Sequence, residues 1–493
     1  MPSAGPAYIV SRYLDSRYYE TRYVVGHLRP LLRLALPNYV ALLSAVVAGI
    51  VDVAWVARLG PAAVAAVAVA TNVENALLGV ILLVNGGVVV VLAGRIAAGD
   101  RPGARAAIRA AWRIFAALTP VVVLAGWALR RPLAALFLPG PGAASLAVEY
   151  FAVSLPAVAI FYAQQVVDGI FAGHGDTRTP MRLALVANAL LVTLDPVVIY
   201  GWGPAPACGV VGAAVATAFG RAVALAIGLL LLRRRRAFTE PAGPTGSAVR
   251  ALVATGAPIA GDFLVRMAGA LAVVALVGRF GVTAVAAYGI GMKALYFATM
   301  AFYAIRNAAT IHTPRVLGSV GGEAGGAVGG EASEARRQAV GRQVLRLALG
   351  AGVLAGVVFA GSAAPLMRLF TGDAQVIAAG TVFLRCVGGY LVPIAGVIAL
   401  GGFLVASGRG ARLFAVTVVG ITAQTVLGWS LATAIGLPGV WLAMGLSALL
   451  QLGLVLRLAR LGPRRPAVRS AASRAPVPPG GPRRAGSAHT RSG

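Results

Sequence analysis

The sequence predicts an all-α, polytopic membrane protein whose 12 transmembrane helices form two pseudo-symmetric six-helix lobes. Three observations predict it. Hydrophobic residues make up 59% of the chain and charged residues only 12%, about half the share of a soluble domain. The apolar residues gather into a dozen stretches long enough to cross about 30 Å of hydrocarbon as helices. A segment near Pro37 also recurs 221 residues later. Alternating ten-residue strands are not seen, which argues against a barrel.

Along the chain, the spacing predicts spans near 34–57, 62–94, 110–129, 150–172, 182–202 and 209–232 in the first half. The second half gives 251–277, 282–304, 343–363, 378–406, 413–434 and 437–457. Residues 1–30 precede the first span as a cytoplasmic segment without the apolar centre of a signal peptide, so that span is expected to stay in place. The N-terminal lobe is expected over 31–232, a cytoplasmic linker over 233–250, the C-terminal lobe over 251–461 and a disordered basic tail over 462–493. The Gly/Glu stretch that starts at Ser319 is likewise expected to be a flexible loop.

Most arginines fall in the N-terminal segment, the tail and every second loop, whereas Arg58, Arg130, Arg131, Arg279 and Arg368 occupy the opposite loops. By the positive-inside rule both termini are cytoplasmic and the expected location is the cytoplasmic membrane. The net charge of +28 is spread over span ends and tails rather than one compact face, which excludes a nucleic-acid surface. Cys208 and Cys386 are too few for a disulfide framework and lack metal-ligand spacing.

The recurrence is specific at its turn. Pro37, Arg58 and Gly60 pair with Pro258, Arg279 and Gly281, and seven of eleven positions match between Val56–Ala66 and Val277–Ala287. With six spans in each half, the copies run in the same direction. Parallel repeats of this kind belong to transporters that rock one lobe against the other around a midplane site.

Five carboxylates lie at membrane depth: Asp52, Glu74, Asp168, Asp195 and Asp262. An aspartate at mid-helix costs about 2.5 to 3.5 kcal/mol even on lenient insertion scales, so each calls for a function. Desolvation favours the neutral form of a buried carboxylate, and such a group can load and release a proton as its lobe hydrates. Asp52 is the only acidic or basic side chain from Leu34 to Ala57, and Asp195 precedes Pro196, which loosens its helix; these two are the expected cation-coupling pair. Asn188, two turns before Asp195, is expected to support a cavity with Glu74, Asp168 and Asn72. Asp262 and Arg266, at i and i+4, are expected to form an ion pair in the second lobe. Lys293, Arg306, Arg385 and Arg221 are further cations in or near spans, each able to snorkel to an interface.

FAGHGDTRTPM, from Phe171, lacks the preceding strand and following lysine of a phosphate loop. Its GHGD string is not accompanied by the YD and PAL strings of intramembrane aspartyl proteases, and no enzymatic motif stands elsewhere.

Taken in order, LALPNYV, IVDVAWVARLGPAAVAA, LAGRIAAGDRPGARAA, GHGDTRTPM, NALLVTLDPVVIYGWG, LFTGDAQV and LVASGRG resemble the multidrug and toxic compound extrusion family of cation-coupled antiporters, over about residues 30 to 460. The resemblance implies a V of two six-helix lobes that opens alternately to either side. It is nearest to the DNA-damage-inducible branch, which implies that Asp52 and Asp195 couple to protons or sodium and that Pro37 is the hinge of a bending first helix. The asparagine often found four residues before the second aspartate is Leu191 here, and the acidic pair that other branches carry in helices 7 and 8 is not apparent.

The expected function is therefore export of small organic compounds in exchange for protons, with sodium as the alternative ion, and with no cofactor and no metal site. The expected partners are the small organic substrate and the lipid bilayer, with no nucleic acid, and the chain is expected to act as a monomer. The rival reading is a flippase for a lipid-linked oligosaccharide, in which basic residues would grip a pyrophosphate.

Overall fold

Desolvated backbone must bond to itself inside a bilayer, so apolar runs of this length have one open solution, the helix. A computed structural model describes the backbone of residues 6–138, 141–202, 206–235, 245–321 and 327–459, and side chains within these except at 6–27, 141, 318–321 and 327–333. Among the described residues there are 13 helices. The first lobe holds α1 (Pro6–Ala57), α2 (Pro61–Ala97), α3 (Arg101–Ala128), the short α4 (Arg130–Phe137), α5 (Pro141–Gly173), α6 (Arg178–Tyr200) and α7 (Gly209–Arg234). The second holds α8 (Thr245–Gly278), α9 (Val282–Gly321), α10 (Ala327–Phe370), α11 (Ala374–Ala406), α12 (Gly410–Ile435) and α13 (Leu437–Ala459). Twelve of these, all but α4, are long and apolar enough to cross a membrane.

Two local expectations change. Helices α7 and α8 run into the expected linker from both sides, to Arg234 and from Thr245. The expected Gly/Glu loop is helical from Ala327 onward, because alanines and i, i+3 and i, i+4 partners such as Glu334 with Arg337 and Gln338 outweigh its glycines. The basic tail at 462–493 lies outside the described residues, as do the central part of the linker and residues 322–326 of the loop.

The internal repeat is written into the turns. Gly60 and Gly281, Gly175 and Gly408, and Gly201 and Gly436 occupy corresponding inter-helix positions in the two halves, and all six have positive φ, between 71° and 105°. Residues with a Cβ rarely adopt that conformation, so these positions hold glycine for backbone reasons.

Within the first lobe α2 packs against α3 and α5, and α7 against α5 and α6; within the second, the deeply buried α11 packs against α9, α10 and α13. The lobes meet where α2 approaches α8 and α9, where α1 approaches α9 and where α3 approaches α8. Glycine makes the α2–α8 crossing close. A Cβ on Gly87 would stand 2.5 Å from the Leu252 carbonyl oxygen, and one on Gly256 would strike the carbonyl of Leu83. Gly94 faces Pro314 and Gly175 faces the Arg315 guanidinium, all in the half that ends in the arginine-rich loops. Toward the other end, a Cβ on Gly49, Gly278 or Gly281 would meet nothing within 4 Å.

The expected hinge, Pro37, is buried inside an unbroken α1. Its missing N–H leaves a gap in the helical ladder. One residue on, the Asn38 side-chain amide donates to the Leu34 carbonyl at 3.1 Å and steadies that turn.

Candidate functional site

Helices α1 and α6 are joined by three polar rungs. The Asn188 amide donates to the Ser44 hydroxyl at 2.8 Å; the carboxyls of Asp52 and Asp195 lie in hydrogen-bonding reach of each other; and the Tyr200 hydroxyl donates to the Trp55 carbonyl. The partners ascend together along both chains, so the two helices run parallel. Edge contacts among Trp55, Tyr200 and Trp202 close the last rung, with the Arg58 guanidinium 4.9 Å over the Trp55 ring.

The middle rung is chemically unusual. Asp195 is 0% exposed, and neither of its oxygens receives a hydrogen bond from a donor among the described residues; Asp52 Oδ1 is equally without one. Ionised carboxylates only accept, so two facing carboxyls bond to each other only when one of them holds a proton. Glu74 on α2 stands nearby, beside the Ser154 hydroxyl and the Arg221 guanidinium, and buried Tyr150 lies amid Asp52, Glu74, Asp195 and Arg221.

Arg221 leads from this acidic cluster into a cavity of about 540 Å³ lined by both lobes. The first lobe supplies Asn38, Asn85, Asp168, Asn188 and Arg221, the last with its guanidinium 4.5 Å over the Phe161 ring. Asp168 accepts from the Gln164 amide at 2.9 Å. The second lobe supplies Asp262, Arg266, Tyr303 and Arg306. Asp262 is 1% exposed and is held from three directions. Arg266 Nε donates to both its oxygens at 3.3 Å, Arg306 Nη1 to Oδ2 at 3.1 Å, and the Thr417 hydroxyl to Oδ1 at 2.5 Å.

The structure thus brings Asp52 and Asp195 together, but behind the cavity wall rather than on it. Asn188 and Asp168 line the cavity; Glu74 does not, and belongs to the acidic cluster instead. Asn72 is not in the cavity lining: it lies two turns before Gly79 on the α2 face that meets α8, but it is exposed there and its amide turns back to the Ala68 carbonyl at 3.0 Å. The expected Asp262–Arg266 pair is present as part of a larger cluster. Lys293 is exposed and absent from the cavity lining. Sequence reasoning missed Thr417, Tyr150 and Ser154 and left Arg306 without a partner. Arg306 lies 44 residues from Asp262 and Thr417 lies 155, separations that no helical periodicity connects.

The MatE family profile matches residues 37–197 and 258–430, one copy per lobe. A probable multidrug resistance protein NorM of Deinococcus radiodurans is 34% identical over 55% of this chain and 60% of its own length. A probable NorM of Thermotoga maritima is 27% identical over 84% of this chain and 88% of its own. A protein of Shewanella oneidensis described as a FAD transporter is 26% identical over 54% of this chain and 60% of its own length. Among solved structures, the Vibrio cholerae MATE transporter VcmN superposes with a TM-score of 0.82 at 19% identity, over 89% of this chain and 97% of that one. A MOP superfamily transporter from Pyrococcus furiosus gives 0.80 at 20% identity, over 88% and 95%.

Proposed function

The chain belongs to the MatE family of multi-pass membrane transporters, and from that premise we propose that it exports small organic compounds by alternating access in exchange for protons, with sodium as the alternative ion. The observation that carries the reading is the pairing of half-buried Asp52 with fully buried Asp195 across α1 and α6. A proton shared there satisfies both carboxyls; its loss leaves two like charges in a water-poor site and forces the helices to part or hydrate. Ser44–Asn188 on the cavity side ties that movement to the wall where cargo binds.

The arginine bias of the loops supports a cytoplasmic position for both termini in the cytoplasmic membrane. In that orientation the glycine-mediated closure between α2 and α8 lies on the cytoplasmic side, so the cavity faces outward. One elementary charge crossing the potential supplies about 2.3 kcal/mol per 100 mV, roughly a fifty-fold gradient. That is enough for resistance.

The test uses inverted vesicles loaded with a pH-sensitive dye and energised before candidate compounds are added. Proton release on addition of a compound supports antiport. Dependence on undecaprenyl-type lipids alone, without proton movement, would replace the reading with lipid flipping.

A further inference from the structure

Charge in the central cavity is unequal. Arg221, Arg266 and Arg306 line it with the carboxylates Asp168 and Asp262, and because Glu74 stands beside Arg221 behind the wall, the first lobe has no surplus of positive charge. The asymmetry is concentrated in the second lobe, where one buried carboxylate is shared between Arg266 and Arg306 and is also satisfied by Thr417. Both arginine side chains are mostly buried, at 15% and 11% exposure, so they do not snorkel to an interface and their charge stays at the cavity wall. An arginine has five N–H donors. Among the described contacts, Arg306 gives one hydrogen bond, through Nη1 to Asp262, its Nε edge packs beside Gly401, and Nη2 makes no hydrogen bond.

The rest of the wall fits an organic body. Leu78, Leu82, Phe263, Met300 and Ile311 supply apolar surface, and Asn307 and Tyr303 line the cavity with Arg306, whose guanidinium lies 6.0 Å from the Tyr303 ring. At about 540 Å³, the space matches a single drug-sized molecule. A cation approaching the second-lobe wall would meet two guanidiniums that share one carboxylate, whereas a carboxylate or phosphate would engage their remaining donors.

Resting on the export reading above, we infer that the cavity selects amphipathic organic anions, an apolar body bearing one carboxylate or phosphate, with Arg306 and Arg266 as the anion-gripping pair. Asp262 acts as the internal counter-ion that keeps the empty site neutral enough to fold and that competes with the cargo for the same donors. Proton uptake at the separate Asp52–Asp195 pair then leaves the anion site itself unaltered in charge.

The test compares two xanthene dyes of similar size and opposite charge, the anionic fluorescein and the cationic rhodamine 6G, binding to the purified full chain in detergent by fluorescence anisotropy. Fluorescein is expected to bind at least tenfold more tightly. Arg306→Gln should weaken fluorescein about tenfold or more while leaving rhodamine 6G unchanged or stronger, and Arg306→Lys should restore most of the loss. Asp262→Asn, which frees donors, should strengthen fluorescein binding, an effect opposite to that of a merely damaged fold. Rhodamine 6G binding and export without fluorescein binding overturns the anion selectivity and leaves export standing. Failure of both dyes to bind also overturns the inference, and if proton-coupled release is missing too, the export reading falls with it.

Discussion

Asp195 on α6 is fully buried with both carboxyl oxygens lacking a donor among the described residues, and the residue it faces is another carboxyl, Asp52 on α1, in a helix pair that Asn188 and Ser44 fasten two turns away. On the proposed function, two acids facing each other with no cation between them among the described residues act as the proton-dependent latch, whereas Asp262 is already balanced by two arginines and a threonine.

Replacing Asp52 with asparagine should abolish export, with at least a tenfold loss of resistance and normal membrane insertion. Drug accumulation in cells, read beside expression level, measures both. Unchanged resistance at normal expression would remove Asp52 from the mechanism.

Asp195→Asn should match Asp52→Asn, and the double variant should be no worse than either single one, because residues acting as one unit are not additive. Proton release from vesicles carrying each variant tests this. Losses that multiply would mean two independent sites.

Ser44→Ala removes the acceptor of the Asn188 amide and should cost about 1 kcal/mol of stability. Thermal unfolding of the purified protein reads that cost. Transport should fall less than in the Asp52 variant, since the rung positions the carboxyl pair without exchanging a proton.

Gly256→Val places a branched side chain against the Leu83 carbonyl and should hold the lobes apart at the arginine-rich end. With Cys208 and Cys386 replaced by serine, a single cysteine introduced at Val89, which lines the cavity, reports access by thiol labelling. Its labelling from the cytoplasmic side should rise in the Gly256→Val background. Labelling identical to that of the parent would mean the crossing is not the closure.

Asp176 links the end of α7 to the start of α6. It accepts from the Thr179 backbone N–H at 3.0 Å, the Thr179 hydroxyl at 2.7 Å and Arg235 Nη2 at 2.7 Å. Partial burial pushes its carboxyl up, but the Thr179 and Arg235 donors together hold it below the usual value. A depressed carboxylate gives its full stabilisation at neutral pH and loses it as pH falls through the folded-state value. Asp176→Ala should cost about 1 kcal/mol at pH 7, with the difference from the parent shrinking in acid; melts at the two pH values compare them.

Much of this was legible in the residues. Span length and loop arginines are local properties, and Asp52, Asp195 and Asp262 stood out because nothing apolar explains a carboxylate in oil. Asn72 misled because an amide near Glu74 in sequence need not share its face: two residues along a helix turn the side chain by roughly 200°. Tyr150 and Ser154 were hidden because aromatic and hydroxyl side chains are ordinary in a span, and only the packing of α5 on α2 sets them around Glu74.

By itself, the sequence determined that the chain crosses a membrane twelve times in two like halves, and that the first half carries most of the buried acid. Tertiary structure alone decided that Asp195 has no donor among the described residues and that Arg306 and Thr417 join the Asp262–Arg266 pair. Helical periodicity fixes which face of a helix a side chain occupies. Which distant helix covers that face is set by how six helices close into a lobe and two lobes into a cavity, and burial makes the identity of that one neighbour decide whether a carboxylate's charge is balanced.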